Sequence, residues 1–93
     1  MKCVYKYPLA LTAAQQDVEM PIGAEVLHAG TQQGEIYIWA LGDPERHTER
    51  RTFQVLGTGH TSTYRLKHVG TSVGPRFVWH VFEILPDQEA PHA

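Results

Sequence analysis

A chain of 93 residues with 42% hydrophobic and 19% charged residues and a net charge of −2 is sized for one domain with a modest core, because folding at this length buries only roughly 60 to 65% of the unfolded surface. That excludes a large enclosed active site, and no apolar run approaches the roughly 18 residues of a membrane span. The single cysteine, Cys3, excludes an internal disulfide and a cysteine-cluster metal site.

Cys3 to Leu11 reads as a strand in which Pro8 cannot donate a ladder bond, so it belongs at a sheet edge, with Cys3 as a small apolar strand residue. Its start, Met-Lys-Cys-Val-Tyr-Lys-Tyr-Pro, does not resemble a secretory signal, which sets a cytoplasmic expectation. Thr12 to Gln15 suits a turn or a single helical turn. Gln16 to Met20 alternates, Val18 and Met20 facing one way and Asp17 and Glu19 the other, until Pro21 and Gly23 end it. Ala24 to Thr31 and Ile36 to Leu41 form a hairpin through Gln32-Gln33-Gly34. The second of these strands is apolar on both faces, which suits a strand buried on both sides or lying at a subunit contact.

Gly42-Asp43-Pro44 stops that strand, and the charged run to Arg50 reads as a surface loop. Phe53 and Val55 then share one face of a strand, with Thr52, Gln54 and Leu56 on the other, before the Gly57-Thr58-Gly59-His60 turn. Thr61 to Val73 reads as an irregular connection with room for one short helix or strand. Pro75 to Leu85 is strongly apolar, with Phe77, Trp79, Val81 and Glu83 on one side and Val78, His80, Phe82 and Ile84 on the other. Together these predict a mainly β domain over residues 1–85, a small antiparallel sheet closed as a sandwich or partly open barrel with at most one short helix, and a flexible tail from 86 to 93.

Charge is uneven along the chain. Residues 1–43 carry two lysines against five acids, 44–76 carry six basic side chains against two acids, and 77–93 carry three acids and no Lys or Arg. A basic middle attracts an anionic group or an acidic protein surface, while the overall negative balance argues against nucleic acid. The Gly57–Gly59 amides with Thr58, His60, Arg51, Arg65 and Lys67 form one candidate anion site. Trp39, His80 and Glu83 complete the candidate binding residues: Trp39 as part of an aromatic surplus for a ligand groove or dimer contact, His80 and Glu83 as polar positions in an apolar strand.

Six histidines stand at 28, 47, 60, 68, 80 and 92, but none pairs at the spacings of a zinc finger, a His-x-His strand or a His-Glu-x-x-His helix, so no metal and no cofactor is assigned. Gly57-x-Gly59 lacks the third glycine and helix of a dinucleotide fingerprint and the Gly-Lys-Ser/Thr of a P-loop, and no Gly-x-Ser-x-Gly elbow occurs.

Six blocks in order, Lys6-Tyr7-Pro8-Leu9, Pro21-Ile22-Gly23-Ala24-Glu25-Val26-Leu27, Trp39-Ala40-Leu41-x-Asp43-Pro44, Gly57-Thr58-Gly59-His60, Gly70-Thr71 and His80-Val81-Phe82-Glu83, make residues 2–83 resemble a family of small phage and prophage proteins of unassigned function. The resemblance implies a phage-encoded accessory protein in the cytoplasm of an infected bacterium. By analogy such a protein blocks host defence. The leading expectation is a non-enzymatic, homo-oligomeric inhibitor that binds a host immune protein. The alternative is an oligomeric sponge for a small anionic signalling nucleotide held at Gly57–His60, and the third a small hydrolase or metal-dependent enzyme using His60, His80 and Glu83.

Overall fold

Ile36, Ile38 and Ala40 alternate with Tyr37, Trp39 and Leu41, and this period of two makes β4 (Glu35–Gly42) the middle of a three-stranded sheet. In the computed structural model, which describes residues 1–86, β4 pairs antiparallel with β1 (Cys3–Leu9) on one side and β3 (Glu25–Gln32) on the other. The β3–β4 connection is a two-residue turn in which Gln33 (φ 52°) and Gly34 (φ 81°) are both left-handed. That is the geometry whose twist matches antiparallel strands. Pro8 does lie on an edge strand, as its missing N–H requires.

A second antiparallel sheet has the order β2 (Gln16–Pro21), β5 (Thr48–Gly57), β7 (Val78–Ile84), β6 (Leu66–Val73). Val18 and Met20, Phe53 and Val55, and Trp79 and Val81 share its inner face by register. Phe53, Met20, Ile38, Val55 and Val81 are the largest fully buried side chains. Burying each contributes roughly 1.5 to 3 kcal/mol. The molecule is only 16 Å through its shortest axis, as expected of two sheets stacked about 10 Å apart with one layer of side chains between them. The result is an all-β sandwich of three- and four-stranded sheets, not closed into a barrel.

The two sheets meet along a seam between β3 and β6. Gly70 lies against the backbone of Ala29 so closely that a Cβ there would stand 2.2 Å from the Ala29 carbonyl oxygen, and the Thr31 and Ser72 hydroxyls are bonded across the same seam.

Several expectations are corrected. The charged run before Arg51 is not all loop: β5 begins at Thr48, and Glu49 and Arg50 are strand residues because β2 lies beside them. Arg50 reaches Asp17 (3.8 Å) and Glu19 (4.0 Å) across the strands. Residues 61–73 contain the whole of β6, and no helix occurs among the described residues. Leu11–Ala14 is a bend, so of the two forms expected for Thr12–Gln15 the helical one does not occur. Cys3 is a strand residue but an exposed one. The expected tail falls, beyond Pro86, outside the described residues, as does His92.

Gln54 lies on the outer face of β5 yet is buried, because two loops cover it. Its Nε2 donates to the Ala13 carbonyl (2.9 Å) and its Oε1 accepts from the Ser62 hydroxyl (2.8 Å). Gln54→Leu keeps the volume but strips partners from both loops. The expected cost is about 1 to 3 kcal/mol, with faster amide exchange confined to residues 10–15 and 58–65; unchanged exchange there would refute the anchoring role.

Candidate functional site

Arg51 and Glu83 sit on the inner face of the four-stranded sheet, at the end where β5 begins. The Arg51 Nε and Nη2 donate to the two Glu83 carboxylate oxygens (2.5 and 2.9 Å), and Nη1 donates to the Ala24 carbonyl (2.8 Å). Glu49, 3.8 Å from Nη1, instead accepts the Gly23 N–H (2.9 Å). The fork geometry of a guanidinium on a carboxylate explains why Arg can occupy a half-buried position here. The hydrogen bond to Glu83 is the main reason the Arg51 guanidinium is held above its ordinary range, with desolvation opposing it. This arrangement commits the Arg51 fork to Glu83 and Ala24 and leaves none free for a ligand in the smaller concavity that Arg51 and Glu83 line.

His80 faces the other way. Its Nε2 is 3.0 Å from the Thr58 hydroxyl and its Nδ1 3.1 Å from Thr71, whose hydroxyl also meets His68 Nε2 at 2.8 Å. His60 closes its own turn: Nδ1 accepts the Gly57 N–H (3.1 Å), and the His60 N–H donates to the Gly57 carbonyl (3.0 Å). Two of the four amides in the supposed cradle are thereby satisfied internally, leaving those of Thr58 and Gly59. His60, His80 and the Arg51–Glu83 pair therefore do not converge on one pocket, and no group of three or more metal-capable side chains gathers among the described residues. Arg65 and Lys67 are exposed near the start of β6, on the side away from the glycine turn.

Trp39 is half-buried on the outer face of the three-stranded sheet. It stacks with His28 (6.2 Å, 23°) and tilts against Tyr37 (6.0 Å), and the Lys6 ammonium sits 4.5 Å over the Tyr37 ring. The doubly apolar pattern of β4 thus has one buried face and one face open to solvent.

A concavity lies at the opposite end of the sandwich from Arg51. It is an open cleft of about 600 Å³ between the end of β1, the β3–β4 hairpin and the β6–β7 hairpin. Leu9, Leu11 and Ile36 form one wall and Val73, Phe77 and Trp79 the other. Phe77 stacks on Trp79 (5.6 Å, 28°) while remaining 62% exposed, and Val73 is 78% exposed. The Gly74-Pro75-Arg76-Phe77 turn, closed by the Gly74 N–H donating to the Phe77 carbonyl (2.9 Å), holds that wall up. Gly57 in turn makes room for Trp79, since a Cβ there would lie 3.2 Å from its ring.

Phe77 and Trp79 belong to the aromatic surplus from which a groove was expected, Arg76 was assigned to no site from sequence, and Leu9, Leu11 and Ile36 come to the cleft from distant parts of the chain. The available signal was local: a Gly-Pro-Arg turn followed by Phe presents a large ring just where a strand has not yet begun to bury it.

Fold and site together define a two-sheet antiparallel sandwich with an open, largely apolar cleft at one end. The chain belongs to the family described as a domain of unknown function, DUF7352, whose model matches residues 1–91. No curated protein and no solved structure matches it.

Proposed function

We propose that this is a non-enzymatic, phage-encoded accessory protein that counters a host defence component by seating part of that protein in the terminal cleft. The observation that carries the reading is the exposed apolar wall of Val73, Phe77 and Leu11 around a concavity of about 600 Å³. Contiguous apolar surface facing water costs free energy unless a partner covers it, and this volume lies in the range of recognition clefts. The six-block pattern supports the phage setting. A nucleotide sponge at Gly57–His60 is less well supported, because His60 and Gly57 satisfy each other and Arg51 is committed to Glu83.

The test uses a photo-crosslinking phenylalanine analogue in place of Phe77, or of Thr58 as a control, in bacteria carrying a defence system that restricts phage growth. The expected result is one discrete host adduct from position 77 and none from 58, together with restored phage plating. Val73→Asp, at a site exposed enough to leave folding intact, should abolish both adduct and plating. Plating that survives Val73→Asp, or an adduct from Thr58 alone, overturns the proposal.

A further inference from the structure

We infer that the cleft takes an extended peptide segment of its partner bearing one large apolar anchor with an acidic residue beside it. This rests on the cleft being the binding site, and the polar groups of its lining supply the rest. The Thr31 and Ser72 hydroxyls are bonded to each other. On the hairpin wall opposite Arg76, the Glu35 carboxylate accepts the Tyr37 hydroxyl (3.2 Å), whose ring belongs to the outer face of the sheet. Arg76, at the tip of the Gly74–Phe77 turn, is exposed and has no hydrogen bond or ion pair among the described residues. The lining therefore joins apolar walls to two charges on opposite sides, the Glu35 carboxylate bonded to a neutral hydroxyl and the Arg76 guanidinium, unpaired among the described residues, next to Phe77.

Such a site discriminates in two stages. The apolar walls of Phe77, Trp79, Leu11 and Ile36 take the anchor, and burial of that side chain provides most of the affinity. The guanidinium then selects among anchors by the charge next to them, since a carboxylate forms a forked pair with it and a neighbouring ammonium is repelled. Because the pair would be solvent-exposed, its share of the affinity is modest and its main effect is on specificity. The cleft is open to solvent and not enclosed, so an extended chain can lie in it without ending there.

Trp39→Phe leaves Trp79 as the sole tryptophan and makes its emission a reporter of the cleft. Three acetylated and amidated ten-residue peptides on a Gly/Ser background serve as probes: Phe followed by Asp, Phe followed by Lys, and Ser followed by Asp. The Phe-Asp peptide should shift the Trp79 emission saturably, the Phe-Lys peptide should bind about fivefold more weakly, and the Ser-Asp peptide should have no effect. Arg76→Glu should reverse the order of the first two. Equal binding of the Phe-Asp and Phe-Lys peptides, or an order unchanged by Arg76→Glu, overturns the inference. If Phe77 still crosslinks to a host protein while no peptide binds, the peptide chemistry is wrong and the cleft reading survives. If neither occurs, both fall.

Discussion

Gly70→Ala should lower the melting temperature by roughly 12 to 24 °C, the equivalent of about 3 kcal/mol in a domain of this size. A methyl at residue 70 would stand 2.2 Å from the Ala29 carbonyl oxygen, 2.9 Å from its nitrogen and 3.0 Å from its carbonyl carbon. All three are backbone atoms, so no side chain can rotate away. Ala29 is held by its pairing with Ile38 in one sheet, and Gly70 by its pairing with Val81 in the other. Relief requires the sheets to part along the β3–β6 seam, which also breaks the Thr31–Ser72 contact and opens the floor of the cleft. Gly34→Ala is the control: nothing lies within 4 Å of its added carbon, so it meets only the left-handed backbone strain at φ 81°, about 1 kcal/mol. Thermal unfolding of the two variants separates a packing cost from a conformational one. If Gly70→Ala melts no lower than Gly34→Ala, the two sheets do not meet at this seam.

The same seam explains what the sequence concealed. The faces of β4, of Phe53 and Val55, and of Trp79 and Val81 were legible because alternation is uninterrupted there and each strand buries one side, and the β3–β4 hairpin was legible from its glycine turn although β3 carries a bulge between Val26 and His28. Within β6 the register shifts between His68 and Gly70, so Val69 is an extra residue and the faces exchange halfway along. Alternation read straight through that point cancels, and a strand looks like an irregular connection. Gly70 deepened the ambiguity, since its role is to carry no side chain at all. At the start of β5 the difficulty was chemical: Glu49-Arg50-Arg51 has the composition of a loop. It becomes strand because its partners, Asp17 and Glu19 on β2 and Glu83 on β7, are brought alongside by the fold.

The candidate site was legible only in its parts. Sequence could show that His60 followed a glycine turn and that His80 and Glu83 lay on opposite faces of one strand. It could not show that each already had a local partner, and local partners decide whether a polar residue is available. Arg76 is the converse: assigned no site from sequence, it stands out because the fold gives it no counter-charge among the described residues, and Phe77, one of the surplus aromatics, because the fold leaves it 62% exposed.

Breaking the Arg51–Glu83 pair from one side should produce the second large effect. Glu83 is buried, its side chain 10% exposed and that of Arg51 19%. Arg51→Ala therefore strands a carboxylate on the inner face beside Phe53, its partner in register. The expected loss is about 3 kcal/mol, at the lower end for a severed buried pair because one edge of this one reaches solvent. Arg51→Met with Glu83→Leu removes both charges and keeps apolar volume, so denaturant unfolding should return it to within about 1 kcal/mol of the parent. The pH dependence has a definite sign. The folded-state pKa of Arg51 is raised above its ordinary value, chiefly by the hydrogen bond to Glu83, so its stabilisation is fully present below the unfolded value and is lost only as pH rises through the higher folded one. Across neutral and acidic pH the arginine side is constant. A double variant no more stable than Arg51→Ala would mean that the cost of losing Arg51 lies in its packing and not in the charge it neutralises.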